Sequence, residues 1–317
     1  MVQWFKFWAL ALIWGSSFLL IKVAVDDLGA LPLVSIRLGG AAFLFSIYLF
    51  MTRRKLPKWG DGLGALLFVG VFNTAVPFFL ISWGETEIDS GLATVLNSSV
   101  PLFNLVIAHF LLSDERLTQA KIIGLVLGFV GVVIVVSHGI NTTDNPLLGQ
   151  FAVLAASLCY AVSIATIRFK LRHLDSFTTA GYSTVIGAVP ILISTVLFVN
   201  PLPDLPNLDF EVIAAGVTLA VVNTFVAYFL FYDLIANWGV RASLVTYAMP
   251  PIGVTLGFLV LDETIDWRLI VGGGVILAGI ILTKKSGSPP KQVVSAAQPE
   301  TFEPEFKPAI ASGKVSH

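Results

Sequence analysis

The chain has 317 residues, of which 56% are hydrophobic and 12% are charged, with a formal net charge of −1. Soluble domains carry about 25% charged residues, so this composition excludes an ordinary soluble domain and indicates that most of the surface faces lipid. The near-zero charge implies neither a nucleic-acid-binding surface nor a strongly acidic partner, so no nucleic-acid partner is expected. A single cysteine, Cys159, excludes an internal disulfide framework or a cysteine-based zinc site.

Ten segments are apolar over the roughly 20 residues that a helix needs to cross a bilayer core. The first has no small-residue cleavage site and is followed by nine others, so we predict that it remains a spanning helix. The expected fold is therefore an all-α membrane protein of ten transmembrane helices. The predicted spans are 4–25, 32–50, 62–83, 91–112, 120–137, 149–169, 178–198, 210–235, 242–261 and 269–283.

Basic residues cluster in alternate loops. If the N-terminus is cytoplasmic, the inner loops hold most of the Lys and Arg, whereas the outer loops carry mainly carboxylates, among them Glu85, Glu87 and Asp89. This positive-inside pattern predicts a multi-pass protein of the cytoplasmic membrane with both termini in the cytoplasm. Residues 286–317 are rich in Ser, Pro, Lys and Glu without an apolar period, which predicts a disordered cytoplasmic tail.

The sequence repeats itself. The stretch that begins Asn73-Thr74 returns 150 residues later as the stretch that begins Asn223-Thr224, with five of eight positions identical. In the same way, 12–17 aligns with 158–163. Each copy has five helices, an odd number, so the second must enter the membrane from the opposite side, as in transporters with inverted-topology repeats. We assign 1–137 to the first repeat, 138–148 to an external linker and 149–285 to the second repeat.

Residues 4–285 resemble the EamA branch of the drug/metabolite transporter superfamily, which is built from two tandem five-helix repeats. The first helix carries the family's Trp-Gly-x-x-Phe pattern at 14–18, and the second helix has its early arginine, Arg37, although Leu38 replaces the more usual aromatic residue. The family's order of proline, acidic residue and glycine appears twice, as Pro101, Glu115 and Gly124 and as Pro250, Glu263 and Gly272. Members of this family are mostly exporters or permeases for amino acids, other metabolites or toxic small molecules.

Polar side chains inside a bilayer cost free energy, so they usually face the bundle interior or a water-filled cavity. Mid-helix prolines free a backbone carbonyl, and such interruptions line cavities in transporters. The alternative interpretations are interhelical hydrogen bonding for the amides, core packing for Trp14 and simple kinks for the prolines. The candidate substrate cavity comprises Trp14, Ser17, Asn73, Pro77, Asn97, Pro101, Tyr160, Ser163, Asn223, Tyr247 and Pro250.

Few charges fall within the spans. We expect Lys22 and Arg37 to snorkel to the outer interface, and the alternative is that one of them binds a substrate carboxylate. No Asp or Glu lies at mid-depth, and His109 is the one histidine in a span, which makes it the candidate proton site. Facilitated diffusion and proton antiport therefore both stay open.

Two further patterns concern helices 5 and 10. Their glycines predict close helix packing within a monomer, with a homodimer through these helices as the alternative. The carboxylate pairs 114–115 and 262–263 precede these helices and are expected to cap their N-termini or to gate the pore.

The leading hypothesis is a transporter of small organic metabolites such as amino acids, which works by alternating access. Its expected partners are the lipid bilayer and a small-molecule substrate, and no cofactor is expected. An aromatic and amide lining favours a neutral or zwitterionic, partly apolar cargo. The alternatives are a strict antiporter of phosphorylated metabolites, which would require cations deep in both halves, an intramembrane enzyme, or a scaffold. No paired carboxylates, His-rich cluster or metal-ligand spacing supports the enzyme.

Overall fold

The computed structural model of the chain describes residues 1–111, 118–137, 145–201, 203, 208–238, 242 and 244–285, and its regular elements over these residues are all helices. The predicted tail, residues 138–144 of the predicted linker and the Asp114-Glu115 pair lie outside the described residues. The helices are α1 (Val2–Leu28), α2 (Ala30–Met51), α3 (Leu63–Gly70), α4 (Val76–Gly84), α5 (Ser90–Asn97), α6 (Val100–Leu111), α7 (Gln119–Val136), α8 (Leu147–Lys170), α9 (Ser176–Phe198), α10 (Phe210–Ala220), α11 (Ala227–Trp238), α12 (Val245–Leu261) and α13 (Trp267–Lys285).

Eight helical stretches in the described part of the chain are long and apolar enough to cross a membrane, and two shorter apolar helices, Val245–Leu261 and Trp267–Thr283, follow them. Three of the eight are composite: α3 and α4 form one stretch (Leu63–Gly84), as do α5 and α6 (Ser90–Phe110) and α10 and α11 (Phe210–Ile235). Their ends lie within a few residues of the predicted spans. Bulky apolar side chains such as Phe43, Phe110 and Phe198 point outward, as expected for a surface that faces lipid.

One end of the bundle is joined by two ion pairs. Lys6 on α1 pairs with Asp233 on α11 at 2.7 Å, and Arg54 after α2 pairs with Asp175 before α9. Each pair links the first half of the chain to the second. We call this end of the bundle the Lys6 end.

The opposite end is joined by contacts with main-chain atoms. Lys22 Nζ on α1 donates to the carbonyl oxygens of Glu85 at 2.8 Å and Ile88 at 3.3 Å, both in the loop between α4 and α5. We call this the Glu85 end.

Glu263 caps a different helix from the one that the sequence suggested. Its two carboxylate oxygens accept hydrogen bonds from the main-chain N–H groups of Ser90 at 2.7 Å and Gly91 at 2.9 Å, at the N-terminus of α5. The prediction that it caps its own following helix, α13, is therefore wrong. The orphan N–H groups that a carboxylate satisfies at a helix start are those nearest in space, and here they come from the other half of the chain.

The predicted small-residue contact lies between α7 and α13, the most extensive helix pair in the described chain. A Cβ atom on Gly124 would lie 2.6 Å from the Gly279 carbonyl oxygen, and one on Gly131 would lie 2.7 Å from the Gly272 carbonyl oxygen. These glycines therefore pack against each other within one chain. Any homodimer must use another surface of these helices.

Candidate functional site

Both Asn-Thr pairs lie in a π-helical segment that interrupts an α-helix. Val71–Ala75 separates α3 from α4, and Val221–Val226 separates α10 from α11. Such widened turns are frequent at functional sites because they leave a carbonyl free and redirect side chains. The repeat that is visible in the sequence therefore marks the same backbone irregularity in both halves.

The threonine of each pair bonds back to its own helix. The hydroxyl of Thr74 donates to the carbonyl of Gly70, and that of Thr224 donates to Leu219 O at 2.8 Å. Such bonds from a threonine hydroxyl to a carbonyl about one turn earlier are a common local alternative to regular helix bonding. Pro77 follows the first π segment, but Ala227 occupies the equivalent position in the second, so the turn does not require proline.

The two asparagines differ in their contacts. Asn223 is buried, and its amide nitrogen donates to the carbonyl of Ile13 and to Ser17 Oγ at 2.9 Å, both on α1. Asn73 is half-buried and has no hydrogen-bond partner among the described residues. Asn223 therefore joins two helices, whereas the amide of Asn73 is free to bind another group.

Arg37, about two turns into α2, is buried within the bundle and is 7% exposed. The expectation that it snorkels to the interface is wrong. Its guanidinium carbon lies 4.0 Å from the ring centroid of Phe78 on α4, and its Nε–H donates to Thr224 Oγ1 at 3.2 Å. The π-segment threonine and the Phe78 ring hold the cation inside, where a snorkelling side chain would lose both contacts.

Two tyrosines complete the surroundings of this arginine. Tyr160 on α8, Tyr228 on α11 and the carboxyl group of Glu85 all lie near enough to the Arg37 guanidinium to act on it electrostatically, and both tyrosine side chains are half-buried. The group thus combines one cation with aromatic rings from both halves of the chain. Of the N–H groups of Arg37, only the one on Nε has a hydrogen-bond partner among the described residues. The N–H groups at the two ends of the guanidinium fork therefore remain available to a ligand.

An interruption also occurs beside Pro101. The chain leaves the helical pattern at Ser98-Ser99, between α5 and α6, and Pro101 then occupies the first turn of α6, where its missing N–H is not needed. Asn97 faces α8 and accepts a long 3.5 Å contact from Ser157 Oγ. This break is an interruption of the kind that the mid-helix prolines predict, although Pro190, Pro250 and Pro251 lie inside continuous helices.

The remaining predicted site residues lie apart from Arg37 or have packing contacts. Trp14 packs against Phe231 with ring centroids 5.0 Å apart, in a small apolar cluster between α1, α11 and α12. Tyr247 borders the main core, and Ser163 on α8 is buried with no hydrogen-bond partner for its hydroxyl among the described residues. His109 lies half-buried beside Phe110 on α6.

Sequence reasoning missed Glu85, which it placed in an exposed outer loop. The side chain is 0% exposed, and Lys22 on α1 donates to the main-chain carbonyl of the same residue. The one sequence feature that could have indicated its burial was its position immediately after an apolar helix, at the start of an acidic loop. Phe78 was missed because an aromatic residue in an apolar span carries no distinguishing pattern.

A bundle of lipid-facing helices around buried polar groups defines a multi-pass membrane protein, and interrupted helices within such a bundle are typical of transporters. The EamA-like transporter family matches residues 5–137 and 147–284, and the chain belongs to this family. It is therefore a membrane transporter.

Relatives extend over nearly the whole chain. An "Uncharacterized transporter" of Archaeoglobus fulgidus is 27% identical over 289 residues, which cover 89% of this chain and 98% of the relative. A "Probable amino-acid metabolite efflux pump" of Salmonella typhimurium is 24% identical, with coverage of 85% and 90%. A solved structure described only as "Crystal structure of protein" matches the fold with a TM-score of 0.58 at 17% identity, over 90% of this chain and 97% of that one.

Proposed function

We propose that this transporter carries small organic molecules that bear a carboxylate, amino acids above all, across the cytoplasmic membrane by alternating access. The observation that carries the proposal is the buried guanidinium of Arg37, which lies against Phe78 with most of its N–H donors unpaired among the described residues. The Lys and Arg distribution supports an arrangement in which the Lys6 end faces the cytoplasm.

A buried cation without an ion-pair partner is costly. The described ion pairs do not include Arg37, and the carboxyl group of Glu85 acts on it electrostatically without forming an ion pair. A substrate carboxylate would supply that partner. The planar fork of arginine matches a carboxylate through two parallel hydrogen bonds, and the stacking on Phe78 orients the fork. Recognition of a carboxylate is thus the chemistry that this side chain serves best.

The aromatic neighbours of Arg37 indicate the rest of the cargo. Tyr160 and Tyr228 present ring surface and a hydroxyl group each, which suits a molecule with one charged end and a partly apolar body. The relative from Salmonella typhimurium is named for amino-acid metabolites, which agrees with this chemistry. A phosphate ester would carry more negative charge than one guanidinium balances, and Lys22 is already engaged by main-chain carbonyls.

The test is counterflow in proteoliposomes that contain the purified protein. Amino acids would be compared with their carboxamides, which keep the shape and lose the negative charge, and with a phosphorylated metabolite. We expect saturable exchange of the amino acid that is about tenfold or more faster than exchange of its amide, since a charged hydrogen-bonded contact contributes about 1.5–3 kcal/mol. Equal rates for acid and amide, or preference for the phosphate ester, would overturn the proposal.

Alternation between two states is supported by an asymmetry between the halves. The sequence repeat pairs Asn223 with Asn73 and Ser17 with Ser163. The π segment of Asn223 contacts α1, which carries Ser17, and the π segment of Asn73 contacts α8, which carries Ser163. The Asn223–Ser17 bond is made at 2.9 Å, whereas Asn73 and Ser163 both lack partners among the described residues. In the opposite-facing state, we infer, Asn73 bonds Ser163 and the Asn223–Ser17 bond opens.

The two asparagines should therefore respond differently to the same substitution. Asn223→Ala should lower the stability of the purified protein by about 1 kcal/mol, because it removes interhelical hydrogen bonds, whereas Asn73→Ala should leave stability unchanged and slow the exchange rate. Thermal melting in detergent and counterflow measure the two effects. Equal loss of stability in both variants would contradict the two-state assignment.

A further inference from the structure

The carboxyl group of Glu85 is enclosed at the Glu85 end of the bundle. Its side chain is 0% exposed, and neither carboxylate oxygen has a hydrogen-bond partner among the described residues. A buried polar group is normally hydrogen-bonded, so a carboxyl group with two unpaired oxygens requires an explanation. Neither packing nor helix capping supplies one.

Three charged groups act on this carboxyl group: Lys22 on α1, Arg37 on α2 and Glu263 after α12. Lys22 directs its ammonium to main-chain oxygens of the loop, and Glu263 uses both of its oxygens on the start of α5. None of the three forms an ion pair or a hydrogen bond with the Glu85 carboxylate. Helix α8 packs closely against α4 but contributes no charged group that acts on it.

The neutral form of this group is favoured by its surroundings. An ionised carboxylate loses its hydration when buried, and nothing described here replaces that hydration. Burial raises the pKa of the Glu85 carboxyl well above its usual range, and the nearby cations Lys22 and Arg37 offset only part of this rise. The proton would be released once the carboxyl group reached water.

We propose that Glu85 takes up a proton from the Lys6 side of the bundle while the Glu85 end is closed and releases it to the other side when the Glu85 end opens, so that a pH gradient drives transport. The proposal rests on the proposed function, and it replaces His109 as the proton site. Opening requires loss of the Lys22 contact with the loop and of the Glu263 contact with α5, the two links that enclose the carboxyl group. Substrate movement and proton access thereby share one conformational change.

The experiment uses the full chain in proteoliposomes, with the membrane potential clamped and a gradient of about one pH unit imposed in each direction in turn. Wild-type protein should accumulate its amino-acid substrate about tenfold under one polarity, the limit for one proton per substrate. Glu85→Gln should keep wild-type counterflow, which needs no gradient, and lose the accumulation. Glu87→Gln is the matched control, because Glu87 is exposed in the same loop.

Counterflow separates this inference from the proposed function. If wild-type protein exchanges substrate but ignores both gradients, or if Glu85→Gln accumulates substrate like the wild type, the proton site is refuted while the transporter stands. Glu85→Asp decides the case in which the Gln variant fails to fold. It keeps a titratable carboxyl group in changed surroundings, so the gradient response should persist with a displaced midpoint pH, and an unchanged midpoint would overturn the assignment.

Discussion

Arg37→Gln should reduce amino-acid counterflow by about 100-fold or more. The substitution removes a buried cation from its place against Phe78. Losing one partner of a buried charge pair, here the proposed pair of Arg37 and the substrate carboxylate, costs about 3–5 kcal/mol, and each 1.4 kcal/mol corresponds to about tenfold in rate. Arg37→Lys should still lose about tenfold, because an ammonium keeps the charge but cannot offer two parallel N–H groups or stack on the ring. Initial rates of exchange measure both effects.

The selectivity of the variants distinguishes substrate binding from a structural role. Arg37→Gln should exchange the amino acid and its carboxamide at similar slow rates, since the group that tells them apart is gone. Arg53→Gln is the control, because Arg53 lies exposed directly after the same helix. A variant that slowed both compounds equally while keeping the wild-type preference for the acid would show that Arg37 only supports the fold.

Gly279→Leu should unfold or severely destabilise the protein, and Gly279→Ala should cost about 1–3 kcal/mol. A Cβ atom at Gly279 would lie 2.5 Å from the Gly124 carbonyl oxygen and 2.6 Å from the Gly128 nitrogen. Both are backbone atoms of α7, so no side-chain rotation relieves the contact and the two helices must separate. The melting temperature in detergent and the yield of folded protein report the loss.

Gly274→Ala is the matched control on the same helix. A Cβ atom there would meet no atom within 4 Å, so its stability should stay within about 0.5 kcal/mol of the wild type. If Gly279→Ala and Gly274→Ala were equally stable, the close contact between α7 and α13 would not be a determinant of the fold.

The apolar segments were predicted well because the need for about 20 apolar residues is a property of each segment alone. The interruptions within those segments were not predicted from the sequence. The π turns at 71–75 and 221–226 contain no glycine or proline, and in each the threonine hydroxyl donates to a carbonyl of the preceding helix. The repeated Asn-Thr pair located both positions without revealing their geometry.

The candidate site was predicted in part. Arg37 and Tyr160 were named from the sequence, and they lie together with Phe78, which no pattern distinguished. Arg37 was expected at the interface because its helix position permits snorkelling. Its actual partner, Thr224, is 187 residues away in the sequence and belongs to the other half of the chain.

The sequence by itself determined that this is a helical membrane protein, where its apolar segments lie, that its two halves are related and which family it resembles. These properties depend on composition and order along the chain. The tertiary structure decided which polar groups are paired: Asn223 with α1, Glu263 with α5, Lys22 with the loop at Ile88. It also decided that Arg37 and Glu85 are buried, because burial and hydrogen bonding depend on groups that distant segments bring into contact, and no local pattern encodes them.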